Sequence, residues 1–181
     1  MAHGYWGRVL LVDLSKGEIR DQTLSEAVYR HFLGGYGLGV HFLYHHLAVG
    51  ADPLGPDNIL GFLPGLLTGS GAPFSGRFMV VGRSPLTGAW GDANCGGDFG
   101  PALRGAGYDG LFITGVSERP VYLWVEPKHA EIREASNLWG LDAALTEETI
   151  HRQAGRDVRV ACIGPAGECL SLLAGIVNDR G

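Results

Sequence analysis

The chain has 181 residues, of which 45% are apolar, and this length suffices for one domain with a full core or two small domains closely joined. A net charge of −5 argues against a nucleic-acid-binding protein and against one that docks on an anionic membrane surface. No apolar run reaches the roughly 20 residues of a bilayer span, and residues 1–6 lack the features of a signal peptide, so the sequence predicts a cytoplasmic protein.

The first half of the chain begins with strand signals and continues with a helix signal. Residues 8–14 have the side-chain pattern of a strand, and the chain turns and returns through residues 18–20. A capping-box pattern from Thr23 to Glu26 predicts a helix that begins at Thr23 and ends at the glycine pair 34–35. Two more strands are expected within residues 58–68 and 78–82.

The second half repeats this order. Residues 121–126 alternate as a strand, and residues 131–133 form its return. Asp142 predicts the cap of a helix that runs to about Ala154, with Gly155 at its carboxyl end. Two further strands are expected within residues 158–167 and 170–177.

Both halves therefore have the order strand-strand-helix-strand-strand, over about residues 5–85 and 118–178. This repeat predicts an α+β fold with two β-sheets and a few helices, in which the two units are related by a pseudo-twofold axis.

The stretch between residues 72 and 110 combines many glycine turns with arginines. Glycine loses more backbone entropy on folding than other residues, and folding tolerates that cost where the backbone approaches a ligand such as phosphate. Arg77, Arg83 and Arg104 can supply charged donors to a polyanion. A short helix over residues 99–106 would point its first amide groups at the same place. The sequence predicts a concave, glycine-lined platform for a phosphate-bearing cofactor.

The three cysteines and the histidines give no metal-site pattern. No Cys-x-x-Cys pair is present, so the spacing encodes neither a zinc site nor an iron–sulfur cluster. Cys162 and Cys169 are interpreted as small buried thiols, and Cys95 as a small residue at a tight turn or a thiol beside the platform. Three histidines are interpreted as residues of an amphipathic helix rather than as ligands: His41, His45 and His46.

A series of short segments carries a family resemblance over nearly the whole chain. The segments are Gly7-Arg8 with Val12-Asp13-Leu14-Ser15, Phe32-Leu33-Gly34-Gly35-Tyr36-Gly37-Leu38, Asp52-Pro53-Leu54-Gly55-Pro56, Leu67-Thr68-Gly69, Ser75-Gly76-Arg77, Ser84-Pro85-Leu86-Thr87-Gly88, Gly96-Gly97 with Phe99-Gly100, Ala106-Gly107-Tyr108-Asp109-Gly110, Ile163-Gly164-Pro165-Ala166-Gly167-Glu168 and Asn178-Asp179-Arg180-Gly181. Taken in this order, they resemble the amino-terminal domain of the tungsten-containing aldehyde ferredoxin oxidoreductase family.

The resemblance implies a cofactor and a set of residues that hold it. In that family the domain is the base for a bis-pyranopterin that binds tungsten, or molybdenum, through dithiolene sulfurs, and a magnesium ion bridges the two pterin phosphates. The matching positions imply that the backbone carbonyl of Asn94 binds magnesium and that Arg77 points to the pterin or its phosphate. Gly96 and Gly97 would bring backbone N–H groups to the cofactor, and Cys95 stands where serine is common.

The resemblance further implies that residues 1–181 form the amino-terminal platform of a longer enzyme, inactive alone, that oxidises aldehydes to carboxylic acids. Its electrons would pass through a [4Fe–4S] cluster, whose ligands are absent here, to ferredoxin, and a homodimer is compatible with this reading. Two alternatives stay open: the same domain of an aromatic acyl-CoA reductase, and a non-catalytic scaffold or partner subunit. A nucleotide-binding domain is less well supported, since neither a P-loop nor a Rossmann fingerprint occurs.

Overall fold

The computed structural model describes residues 4–179, and a six-stranded mixed sheet forms its centre. The strands of this sheet are β1 (Arg8–Asp13), β2 (Glu18–Thr23), β3 (Leu60–Pro64), β4 (Phe78–Arg83), β5 (Trp90–Cys95) and β6 (Leu111–Thr114). Their order across the sheet is β2-β1-β6-β3-β4-β5. The pair β1 and β6 runs parallel, and the other neighbours run antiparallel.

The alternation in β1 divides its side chains between two apolar cores. Val9 and Leu11 pack in the first core, against helices α1 (Glu26–Phe32) and α2 (Tyr36–His46). Leu10 and Val12 pack in the second core, on the opposite face of the sheet. Because both faces of β1 are covered, the strand reads as a continuous apolar run in its middle.

Helix α3 (Phe99–Gly105) packs on the second face of the sheet. The elements after β6 are β7 (Val121–Glu126), β8 (His129–Glu134), α4 (Ala143–Ala154), β9 (Ala161–Cys162), α5 (Pro165–Glu168) and β10 (Val177–Asn178). Side chains of β7 and β8 pack against the second core, and a third, smaller core joins α4 to the segment before it and to Val160.

The predicted α+β class is confirmed. The strands expected within residues 158–167 and 170–177 are reduced to the short β9 and β10, because residues 165–168 form helix α5 and the chain turns after it. Strand β6, which lies between the two units in the sequence, joins β1 to β3, so that all strands of the first unit share one sheet. Among the described residues the second half has no strand in that place, and β7–β8 and β9–β10 stay separate two-stranded sheets. The pseudo-twofold relation between the units over 5–85 and 118–178 remains a prediction.

The capping residues in the sequence predicted helix α4 correctly but misplaced the start of helix α1. The Asp142 side chain accepts a hydrogen bond from the backbone N–H of Leu145 at 2.8 Å, and α4 ends at Ala154 as predicted. Helix α1 begins at Glu26 rather than Thr23, because Thr23 pairs with Arg8 at the end of β2. Within residues 4–179 every helix is too short or too polar to cross a bilayer.

Candidate functional site

The five residues predicted to bind the cofactor lie together at one end of the β4–β5 hairpin. In the antiparallel register Phe78 pairs with Cys95 and Met79 with Asn94. This register places Arg77 beside Asn94, and the Nε–H of Arg77 donates to the Asn94 Oδ1. The loop Gly96–Gly97 follows directly after β5. Their common location is therefore a property of the strand register.

This end of the hairpin is open to solvent. The side chains of Arg77 and Asn94 and the backbone of Gly97 are exposed, whereas Cys95 and Gly96 are half-buried. Strand β5 is an edge strand, so one side of its backbone has no neighbouring strand in the sheet. A ligand can therefore reach both the guanidinium of Arg77 and unpaired backbone groups of β5.

Three glycines of the site are needed for contacts within the protein. Gly97 has a φ of +90°, and a Cβ there would lie 1.9 Å from the Asp179 Oδ2. A Cβ on Gly76 would lie 3.3 Å from the Gly97 carbonyl oxygen, and one on Gly100 would lie 3.3 Å from the Gly76 carbonyl oxygen. These glycines were expected to make room for a ligand, but at these positions the chain approaches itself. Gly96 differs, since its nearest neighbour is the flexible end of the Arg77 side chain at 3.8 Å.

A second segment, Asn178–Asp179, reaches the same loop from the far end of the chain. The buried Asn178 side chain accepts a hydrogen bond from the Cys95 thiol and donates one to the Gly96 carbonyl oxygen at 3.0 Å. The Asp179 carboxylate accepts a hydrogen bond from the backbone N–H of Asp98 at 2.8 Å. Neither residue was expected at the site from the sequence, although both belong to the last segment that carries the resemblance. Arg180 and Gly181, which complete that segment, lie outside the described residues.

The expected role of the short helix after the loop is changed by this contact. Helix α3 begins at Phe99, as predicted, but the amide of its N-cap residue Asp98 is already bonded to the Asp179 carboxylate. At this amide the positive end of α3 therefore meets a carboxylate of the same chain.

Two of the three arginines predicted to meet a polyanion lie elsewhere. Arg83 donates to the carbonyl oxygens of Ala51 at 2.8 Å and Gly88 at 2.9 Å, at the opposite end of the hairpin. Arg104 is 6% exposed and forms an ion pair with the 2%-exposed Asp109 at 2.7 Å. Of the three, Arg77 alone is placed at the glycine loop.

The Arg104–Asp109 pair fastens the amino-terminal segment to the turn before β6. The Asp109 carboxylate accepts hydrogen bonds from the backbone N–H groups of Trp6 at 2.9 Å and Gly7 at 2.7 Å. Arg104 also donates to the Gly4 carbonyl oxygen. Burial, followed by the nearby Asp109 charge, raises the pKa of the Tyr29 hydroxyl far above its usual range. The Arg104–Asp109 pair therefore has a structural role.

The remaining cysteines and the histidines behave largely as interpreted. Cys162 is half-buried, and burial raises the pKa of its thiol, with Glu147 adding to the effect. Cys169 is exposed, contrary to the interpretation as a buried thiol. The rings of His41 and His45 contact each other on α2 at a tilt of 52°, with their centroids 4.4 Å apart. Nowhere in residues 4–179 do three or more His, Cys, Asp or Glu side chains come together as a metal site.

An apolar cavity of about 680 Å³ lies elsewhere, between the six-stranded sheet and the β7–β8 hairpin. Phe62 and Leu111 line it from the sheet, and Trp124 and Val125 from the hairpin. None of the five predicted site residues lines this cavity.

The chain matches known proteins over nearly its whole length. Residues 9–181 match the family model described as aldehyde ferredoxin oxidoreductase, N-terminal domain. Tungsten-containing aldehyde ferredoxin oxidoreductases of Pyrococcus furiosus and Thermococcus kodakarensis are 44% and 45% identical over 178 residues, which is 98% of this chain and 29% of each relative. The active-site complex of benzoyl-coenzyme A reductase with 1,5-dienoyl-CoA matches with a TM-score of 0.96 and 35% identity, over 99% of this chain and 28% of that chain. The chain thus spans less than a third of the length of these proteins.

Proposed function

Because this chain belongs to the aldehyde ferredoxin oxidoreductase family, we propose that it is the amino-terminal platform for a tungsten-containing bis-pyranopterin in an oxidoreductase of the cytoplasm. The observation that carries the proposal is the meeting of Arg77, Asn94 and the Gly96–Gly97 loop at the open end of an edge strand. In this proposal the complete enzyme oxidises aldehydes to carboxylic acids.

The residues at this end fit a phosphate-bearing pterin with a bound magnesium ion. Arg77 has its Nε–H engaged by Asn94, and its two Nη groups meet no acceptor within residues 4–179. A guanidinium held in this way presents its remaining forked donors to a phosphate with little loss of side-chain entropy. Backbone carbonyl oxygens such as that of Asn94 are among the oxygen ligands that magnesium takes.

The chain's own residues bind and orient in this proposal. Arg77 neutralises phosphate charge, Gly96 leaves room for close approach, and the Asn94 carbonyl oxygen binds magnesium. When bound, the cofactor supplies the redox-active metal through the sulfurs of its pterins. In this proposal the metal needs no side-chain ligands from this part of the chain.

The parts of the relatives that this chain does not span are proposed to complete the enzyme. This chain spans 29% of the length of the aldehyde ferredoxin oxidoreductases. In this proposal it therefore contacts the cofactor from one side only. The [4Fe–4S] cluster and the contact with ferredoxin would belong to those other parts.

A second candidate function is favoured by one observation. The chain matches the benzoyl-coenzyme A reductase complex with a TM-score of 0.96. The fold is therefore also compatible with the same platform in an aromatic acyl-CoA reductase. The aldehyde reaction is preferred because identity to the aldehyde ferredoxin oxidoreductases is higher, at 44% against 35%.

The proposal is tested by Arg77→Ala in the full-length protein purified with its cofactor. Tungsten and magnesium per chain are measured by inductively coupled plasma mass spectrometry, and the midpoint of thermal unfolding is recorded. We expect the wild type to contain both metals and Arg77→Ala to lose most of them, because the phosphate loses its charged donors. The matched control is Arg30→Ala, which removes an exposed arginine paired with Glu26 on α1.

The proposed function fails if the wild type contains no tungsten, or if Arg77→Ala keeps as much tungsten as Arg30→Ala. Assays with an aldehyde and with an aromatic acyl-CoA then separate the two candidate reactions, since each predicts turnover of one substrate alone.

A further inference from the structure

We propose that Asn178 is a positioning residue that fixes the Gly96–Gly97 peptide in the orientation needed to receive an anionic group of the cofactor. The inference rests on the cofactor-binding function proposed above, and it concerns a residue that touches the loop from behind.

The Asn178 side chain is bonded to the loop through both ends of its amide. Its Oδ1 accepts a hydrogen bond from the Cys95 thiol, and its Nδ2 donates to the Gly96 carbonyl oxygen at 3.0 Å. Asn178 is 8% exposed and lies in β10, where it pairs with Ala161 of β9. A buried side chain on a paired strand has little freedom, so it can hold the Gly96–Gly97 loop in one position.

The direction of the Gly96 carbonyl group sets the direction of the next amide. Within a trans peptide unit the C=O of one residue and the N–H of the next point to opposite sides, and none of the described peptide bonds is cis. With the Gly96 carbonyl oxygen on Asn178, the N–H of Gly97 points away from β10. Gly97 is exposed, and no residue between 4 and 179 accepts a hydrogen bond from its N–H. The loop therefore presents a free backbone donor on the side away from Asn178.

A peptide between two glycines needs such a support. Glycine reaches both signs of φ at similar cost, so a Gly-Gly peptide can rotate and exchange the positions of its N–H and C=O. A rotated peptide would present a carbonyl oxygen, which repels a phosphate. The hydrogen bond from Asn178 opposes that rotation because the rotated peptide would leave a buried amide donor without its acceptor.

Asp179 reinforces the arrangement from the next position. Its Oδ2 accepts hydrogen bonds from the Asp98 backbone N–H and from the Asn178 Nδ2, each at 2.8 Å. These bonds hold the Asn178 amide with its nitrogen toward Gly96 and fasten the residue that follows Gly97. Both flanks of the Gly96–Gly97 peptide are thus tied to the segment 178–179.

The test compares Asn178→Ala and Asn178→Asp with a matched control, Asn58→Ala. Asn58 is also a bridging asparagine, which donates to the Pro53 carbonyl oxygen at 2.7 Å and accepts from the Arg83 backbone N–H at 3.1 Å, at the opposite end of β4. The full-length protein is purified with its cofactor, and tungsten per chain and the thermal midpoint are measured. Amide hydrogen exchange of residues 95–98 is followed in cofactor-free protein.

We expect all three variants to lower the thermal midpoint to a similar extent, but only the two Asn178 variants to lose tungsten, about fivefold or more, the factor for one lost hydrogen bond. Asn178→Asp keeps an acceptor for the Cys95 thiol but cannot donate to the Gly96 carbonyl oxygen, so it should behave like Asn178→Ala. Exchange of residues 95–98 should accelerate in both Asn178 variants and not in Asn58→Ala.

Tungsten content in Asn178→Ala or Asn178→Asp equal to that of Asn58→Ala would overturn the positioning role. If the wild type itself contains no tungsten, the proposed function fails instead, and hydrogen exchange alone decides whether Asn178 holds the loop. Unchanged exchange of residues 95–98 in both Asn178 variants would then refute the inference.

Discussion

The substitution Gly97→Ala tests the packing between the glycine loop and the segment 178–179. A Cβ at this position would lie 1.9 Å from the Asp179 Oδ2 and 2.5 Å from the Asn178 Nδ2. Both distances are far below van der Waals contact, so the segment 178–179 must move away from the loop. Gly88→Ala is the matched control, because Gly88 in the turn of the same hairpin has a φ of +68° and open space where its Cβ would be.

The two substitutions share the backbone cost and differ in the contact cost. An alanine at positive φ costs about 1–2 kcal/mol at either position. Gly97→Ala also breaks the bonds from Asn178 to the Gly96 carbonyl oxygen and from Asp98 to Asp179, worth about 0.5–1.5 kcal/mol each. We therefore expect Gly97→Ala to be less stable than Gly88→Ala by about 2 kcal/mol, which for a chain of this size lowers the thermal midpoint by about 4–8 °C more.

Urea unfolding followed by circular dichroism gives the free energy of unfolding of both variants, and a thermal melt gives the midpoints. Equal losses in the two variants would show that the segment 178–179 leaves the loop at no cost. In that case the interlocked packing would be refuted, and with it the reason given for a glycine at position 97.

Two further changes test other parts of the structure. Asp109→Ala should lower the free energy of unfolding, measured in urea, by about 3–5 kcal/mol, because it leaves the buried Arg104 charge without its carboxylate. The control Glu26→Ala breaks an exposed ion pair and should lower it by less than about 1 kcal/mol. Similar losses in the two variants would contradict the structural role of the buried pair. With limiting iodoacetamide at neutral pH, peptide mass spectrometry should find the exposed Cys169 modified before Cys162. The raised pKa of the Cys162 thiol lowers its thiolate fraction, and the thiolate is the form that reacts. Equal rates at the two cysteines would contradict the difference in burial.

Sequence reasoning succeeded where short-range patterns decide the structure. The pattern of residues 8–14 predicted a strand, and Asp142 predicted the start of a helix, because each signal depends on neighbours a few residues away. The capping-box residue Thr23 misled for the same reason, since its pairing with Arg8 across the β1–β2 hairpin outweighed a local preference.

The rest of the site depends on contacts between distant parts of the chain. Arg104 meets the Gly4 carbonyl oxygen 100 residues away, and Asn178 meets Cys95 across 83 residues. Periodicity and spacing do not report such pairs. Composition did point to the glycine-rich stretch, and the resemblance named the five residues that the hairpin register brings together. Neither distinguished glycines that leave room for a ligand from glycines, such as Gly97, that leave room for another part of the chain.

The place of β6 in the middle of the sheet bears on how the chain is made. Leu10 pairs with Leu111 and Val12 with Ile113, and on its other side β6 pairs with β3. A nascent chain that has not yet passed residue 111 holds β1–β2 and β3–β4–β5 as two ribbons with no strand to join them. The backbone N–H and C=O groups on this edge of β1 therefore have no partner strand until more than 90 further residues have been synthesised. Closure of the sheet is a late, long-range event, and such topologies fold slowly and rely on protection of the early strands until the joining strand emerges.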